Sequence, residues 1–165
     1  MKKLNYDRLH EGFEVNQAHM VQGDGYYAQS NGSFWQISPL KDGDPKHNGW
    51  KFHLSVHPDD VPRAWDLMHE DVIKHELTAK VTSPDASRKF GDDTYPQKGK
   101  MITMYDDTSR PRDWQTVLQN IEHKFQESGI RPGPQVNIDR PVRGSSYASY
   151  RNDQDRNGQY IDSRS

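Results

Sequence analysis

A lysine and a histidine stand two residues apart in Trp50-Lys51-Phe52-His53-Leu54-Ser55-Val56. The stretch alternates strictly: Trp50, Phe52, Leu54 and Val56 take one parity, and Lys51, His53 and Ser55 the other. A strand turns successive side chains to opposite faces. The spacing therefore predicts an apolar core face and a second face that displays an amine beside an imidazole. Such a face is either a solvated strand surface or a proton-transfer pair, since histidine changes charge near neutral pH. Further groups of the same kind follow. Leu77-Thr78-Ala79-Lys80-Val81 alternates in the same way, with Lys80 on its polar side. Met101 to Tyr105 reads as a short strand with Met101, Thr103 and Tyr105 on one face, and Arg140, Arg143, Arg151 and Arg156 come later. Amines, an imidazole, a phenol and guanidinium groups, with no carboxylate among them, suit an anionic substrate, and arginine's planar fork suits phosphate. Amines held close together have a further consequence, because a neighbouring cation favours the neutral form of a lysine, as burial does. A neutral lysine is a competent base near pH 7, although its free pKa is about 10.4.

The elements that must position these groups are legible around them. Strand signals appear at Ser33–Ile37 and Trp50–Val56, separated by a Gly/Pro/Asp/Asn-rich loop. A helix follows, with Asp59 or Asp60 as its cap, Pro62 in its first turn, and Val61, Trp65, Met68 and Val72 on one face. Residues 83–98 read as a polar loop. A second helix starts near Asp113, carries Trp114, Val117, Leu118, Ile121 and Phe125 as its stripe, and stops at Gly129. Ser145–Tyr150 can hold a strand. The order and irregular spacing predict an α+β fold: a single domain with a mostly antiparallel sheet and helices packed against it. Residues 25–157 form the expected domain, residues 1–24 a flexible segment, and residues 158–165 a disordered tail.

Composition narrows the functional classes. The chain has 165 residues, of which 31% are hydrophobic, a net charge of −2 and no cysteine, and its mean hydropathy is −1.14. Near-neutral charge gives no field for nucleic acid or an anionic membrane. Absence of cysteine removes disulfides, thiolate metal sites and thiol nucleophiles. No apolar run approaches the roughly 20 residues that span a bilayer, and the first residues lack the apolar centre of a cleavable signal. His57 lies four residues after His53, but pairs at that spacing hold metal from helices and this segment reads as a strand, so no metal is expected.

Several segments occur together in order: Gly25-Tyr26-Tyr27-Ala28-Gln29-Ser30, Lys51 through Val56, Asp60-Val61-Pro62-Arg63-Ala64-Trp65, Ala79-Lys80-Val81-Thr82, Gly99 through Tyr105, and Tyr150-Arg151-Asn152. As a collinear set they resemble the phosphothreonine lyases of bacterial type III secretion, the OspF/SpvC family, over roughly residues 25 to 152. The resemblance implies β-elimination of phosphate from phosphothreonine in a MAP kinase activation loop, without metal or cofactor. It also implies roles: Lys80 as general base at the α-hydrogen, His53 as general acid at the leaving oxygen, Lys51 at the developing enolate, Tyr105 as a supporting hydroxyl, and Arg151 at the phosphate. The family's last phosphate arginine has no strict counterpart here, although Arg156 lies nearby, and the residue types alone offer Arg156 and Arg143 as further phosphate ligands. The implied partner is a phosphorylated host protein, met by a monomeric secreted effector in the host cytoplasm or nucleus.

The sequence also departs from the family pattern. Thr78 stands where the family has a lysine two before its base, Asp107 where it has a lysine two after its tyrosine, and Tyr95 where it has an arginine. These changes leave the anion site less basic and bear on the substrate more than on the elimination. Lys2-Lys3-Leu4-Asn5-Tyr6 has the basic-then-apolar order of a kinase-docking segment, a pattern short enough to arise by chance. The alternatives are a related lyase on another phosphopeptide, such as those that dehydrate lanthipeptide precursors, and a degenerate phosphopeptide binder. A third is a 2H phosphoesterase, for which His53-Leu54-Ser55 supplies one of the two histidine motifs needed and no other histidine supplies the second.

Overall fold

Alternating segments become strands, and the strands close into one sheet. The computed structural model describes residues 3–40, 47–107 and 113–152. The strands are β1 (Met20–Gly23), β2 (Tyr26–Asn31), β3 (Phe34–Pro39), β4 (His47–Leu54), β5 (Thr78–Thr82), β6 (Ile102–Asp107), β7 (Arg140–Pro141) and β8 (Ala148–Asn152). The helices are α1 (Tyr6–His10), α2 (Val61–Lys74), α3 (Pro84–Phe90) and α4 (Trp114–Glu127). A π-helical turn, Glu11–Val15, prolongs α1, and a 3-10 turn, Pro58–Asp60, leads into α2. The sheet has eight strands in the order β1-β2-β3-β5-β6-β4-β8-β7, and every pairing is antiparallel. The class is α+β.

The two faces of the sheet have different partners. Directly paired residues share a face, and the apolar parity of the central strands holds Trp35, Ile37, Ala79, Val81, Ile102, Met104, Leu54 and Ala148, all buried. Helices α2 and α4 contribute their buried stripes, Val61, Ala64, Trp65, Met68 and Val72 from one and Val117, Ile121 and Phe125 from the other, to the same core. Asp113 caps α4 by accepting from Thr116 N at 3.1 Å, and Gly129 takes the left-handed conformation (φ +68°) that ends it. Asp60 precedes α2 without capping it. Its carboxylate instead accepts from Arg131 N, Nε and Nη2 at 2.9–3.0 Å, tying the start of α2 to the chain after α4.

Two local expectations change. Residues 3–24 pack rather than hang loose: Leu4, Tyr6, Leu9 and Phe13 are buried, and Trp65 Nε1 donates to Leu4 O at 2.9 Å. Asp24 and Gly25, with φ of +55° and +75°, make the tight reversal between β1 and β2. The polar stretch after residue 83 contains α3, which Ser83 caps and Pro84 starts, an arrangement that needs few apolar residues because only Ala86, Ser87 and Phe90 are buried. Residue 156 and the tail from 158 lie outside the described residues.

Candidate active site

Register assembles the site. Across β3, β5, β6, β4 and β8, the pairings Gln36↔Lys80, Lys80↔Thr103, Thr103↔His53 and His53↔Ser149 place these residues in one row. A second row, two residues along, joins Thr78, Tyr105, Lys51 and Arg151. Both rows belong to the face opposite the α2–α4 core. Lys51, His53, Lys80, Tyr105 and Arg151 thus share one surface of the sheet. Lys80 and His53 are two strands apart, roughly 10 Å between backbones, with Thr103 between them.

This face is not the open display that the alternation predicts. His53 is 1% exposed and Lys51 9%, whereas Trp50, assigned to the core face, is 42% exposed. The reason is the segment after α4, which lies over β4. Ser55 Oγ donates to Pro134 O at 2.5 Å, and Asp139, 86 positions after His53, meets the imidazole.

The Asp139 contact sets the state of His53. Asp139 Oδ2 lies 2.5 Å from His53 Nδ1 and accepts from Ser149 Oγ at 2.7 Å, while Oδ1 lies 3.9 Å from Arg151 Nε. Burial opposes ionisation of Asp139, but His53, Ser149 and Arg151 together hold its carboxyl below the usual range. The carboxylate fixes the proton of a neutral imidazole on Nδ1 and leaves Nε2 for chemistry. Burial pushes the imidazole down to about 4, helped by repulsion from Lys51 and Lys100, against the pull of Asp139. An imidazole held that low is neutral at pH 7.

Aromatic side chains position the amine of Lys80. Its Nζ lies 4.1 Å from the Phe34 ring centroid and 5.8 Å from that of Tyr105, close enough for cation–π attraction. Phe34 packs edge-on against Phe90 of α3, which in turn stacks on Tyr95 at 5.2 Å. Thr103 Oγ1 is buried between Lys80 and His53 and has no hydrogen-bond partner among the described residues. Thr78 is buried in the Tyr105 row. Asp107 ends β6, and its side chain lies outside the described set.

Arg143 does not join this group. It occupies the turn between β7 and β8, exposed, beside Gln115, Leu118 and Glu122 of α4. The turn carries it to the helical layer, apart from the two rows. Arg156 lies outside the described residues. Among the described residues no cluster of three or more His, Asp or Glu side chains is arranged to hold a metal ion. Sequence reading missed Asp139, Ser149, Lys100 and Phe34. Phe34 lies in the strand read at Ser33–Ile37 with the parity of Gln36, and Ser149 in the one read at Ser145–Tyr150, so these two were findable from pattern.

Solved structures carry the same fold. The type III effector/phosphothreonine lyase OspF from Shigella flexneri superposes with a TM-score of 0.71 at 17% identity, covering 92% of this chain and 79% of its own. The Salmonella plasmid virulence C protein, SpvC, gives a TM-score of 0.72 at 18% identity over 99% of this chain and 80% of its own. The VirA (SpvC) phosphothreonine lyase effector of Chromobacterium violaceum gives 0.59 at 22% identity over 80% and 67%. No curated protein sequence matches the chain. The model of the OspF/SpvC family matches residues 1–164, and by that match the chain belongs to the OspF/SpvC family.

Proposed function

We propose that the protein is a phosphothreonine lyase that eliminates phosphate from a phosphorylated protein, using side chains alone. The observation that carries this reading is the shared row of Lys80, Thr103 and His53, with the imidazole held by Asp139. Family membership and the relatives named phosphothreonine lyases support it.

The chemistry follows from the placement. Lys80, as a neutral amine, removes the α-hydrogen of phosphothreonine. The electron pair of that C–H bond becomes the Cα=Cβ bond, the Cβ–O bond breaks, and phosphate leaves. Lys51 stabilises the negative charge that builds on the adjacent carbonyl oxygen, with Tyr105 beside it in the same row. His53 Nε2 gives a proton to the departing oxygen, and Arg151 holds the phosphate. A histidine that is neutral at pH 7 must gain this proton when substrate arrives. The incoming phosphate supplies the reason, because a dianion beside the ring favours imidazolium.

The family is one of bacterial type III effectors, and the proposed substrate is a host MAP kinase activation loop. The protein would act as a monomer in the host cytoplasm or nucleus. The test is the mass of a phosphothreonine peptide after incubation. Elimination leaves an alkene lighter than free threonine by one water. Lys80→Ala is expected to abolish turnover while peptide still binds, and His53→Ala to slow turnover with the fold intact. Near-normal turnover by Lys80→Ala would reject the base assignment.

A further inference from the structure

A base that takes a proton ends the step with a positive charge, and an aromatic ring lies where that charge forms. In the elimination proposed above, the Cα–H bond breaks, an N–H bond forms at Lys80 Nζ, and the amine becomes an ammonium. Phe34 is the first residue of β3 and pairs with Thr82, two residues along β5 from Lys80. It is therefore the diagonal neighbour of Lys80, at a separation that a ring and a long side chain can bridge. Lys80 Nζ stands over the Phe34 ring, 4.1 Å from its centroid. The Tyr105 ring on β6 is farther, at 5.8 Å. The face of an aromatic ring is negative and attracts a cation placed over it.

Other rings fix Phe34. Phe90 of α3 is 2% exposed and meets it edge-on, with centroids 5.3 Å apart and planes at 77°. Tyr95 stacks on Phe90 at 5.2 Å. The loop that carries Tyr95 closes against the end of α3, where Gly99 N donates to Phe90 O at 2.8 Å. A loop residue, a helix residue and a strand residue thus form a column of three rings that ends on the amine. A ring fixed beforehand needs no rearrangement when charge develops. Its attraction acts on the ammonium far more than on the neutral amine, so it favours the state that Lys80 approaches as the proton arrives. The same attraction lowers the fraction of neutral lysine at a given pH while making the base stronger and better placed.

We infer that Phe34 is a positioning residue for the general base: its ring holds the Lys80 amine in place and stabilises the ammonium that forms on removal of the α-hydrogen. The inference rests on the lyase reading and adds to it the group that answers the charge on the base. The ammonium returns its proton to water before the next turnover.

Phe34→Leu removes the ring and no charge. Tyr105, His53, Lys51 and Arg151, which share this face, and Asp139, which meets His53, keep their identities in the variant. NMR of the Lys80 side chain in the full chain reads the contact without turnover. In the wild type the ring should shift the ε-hydrogens of Lys80 upfield. In Phe34→Leu that shift should be lost, and Lys80 should titrate lower by about half a pH unit or more. With a phosphothreonine peptide, kcat at the pH optimum should fall by about fivefold or more, and KM should stay within about twofold, because the ring touches the base rather than the peptide. Phe34→Tyr keeps a ring face and should stay within about twofold of wild type in kcat, with the Lys80 titration restored. Phe34→Met gives the same reading if the leucine variant does not fold. A merely structural ring would lower kcat without moving the titration. An unchanged Lys80 titration, or an unchanged kcat, in a folded variant without the ring overturns the inference. A wild type that yields no alkene, but whose Lys80 titration still depends on Phe34, rejects the lyase reading and leaves the contact between ring and amine standing.

Discussion

Burial deprives His53 of the proton that a general acid needs. With the imidazole lowered to about 4, binding of a phosphopeptide at pH 7 should carry a proton in. Calorimetry of an unreactive Lys80→Ala variant, in two buffers of different ionisation enthalpy, should show uptake approaching one proton. The uptake should vanish when His53→Asn is added, and its persistence there would assign the proton to another group. Asp139→Asn removes the carboxylate that orients the ring, and kcat should fall by about 10²-fold or more while peptide affinity changes little. Thr103 poses the converse case. A buried hydroxyl without a partner is destabilising by about 1–3 kcal/mol, so Thr103→Val should raise thermal stability. If the hydroxyl serves the substrate between base and acid, the same change should lower kcat/KM; a gain in stability with no loss of activity would make Thr103 a spectator. At this scale the sequence was a partial guide. Period-two alternation exposed Lys51, His53, Lys80 and Tyr105, because each lies on a strand. Asp139 was hidden because it lies in an irregular segment, and no local spacing links it to a strand 86 positions away.

The elements are separable from the site because helices α2 and α4 occupy the other layer. Asp113→Ala removes the cap of α4, where the carboxylate meets Thr116 N and Oγ1, and should destabilise by about 1 kcal/mol. Denaturant unfolding should register that loss while the elimination rate at a stable temperature stays within about twofold. A large rate loss would mean that α4 shapes the site. The helices were readable because both have long amphipathic stripes, and Asp113 and Gly129 mark the ends of α4 in the sequence itself. Asp60 shows why caps are harder: its type fits a cap, but a bidentate arginine 71 positions later claims the carboxylate. The short strands β1, β2 and β7 and the seven-residue α3 carry too few apolar residues for a period to emerge. They form because neighbouring strands and Phe34 supply the partners.

The whole molecule should register the same histidine in its pH dependence. In the unfolded chain His53 takes a proton below about 6.5; in the folded protein it does so only near 4. Between these values the unfolded state binds more protons, so the His53 contribution to stability falls as pH is lowered through that window. Thermal melts from pH 7 to pH 4 should decline, and the slope should flatten in His53→Gln; equal slopes would place the charge change elsewhere. The α+β class was readable from segment order, but the strand order was not, because β4 joins β6 and β8 through long connections that leave no trace in local pattern. That order is what sets Lys80 and His53 on either side of Thr103, and the proposed reaction depends on it. The most direct test is a phosphothreonine peptide carrying deuterium at the threonine α-carbon. Product from the wild-type protein should be an alkene that has lost the deuterium, formed more slowly than from the unlabelled peptide and not formed by Lys80→Ala. Free threonine that retains the deuterium would contradict the account.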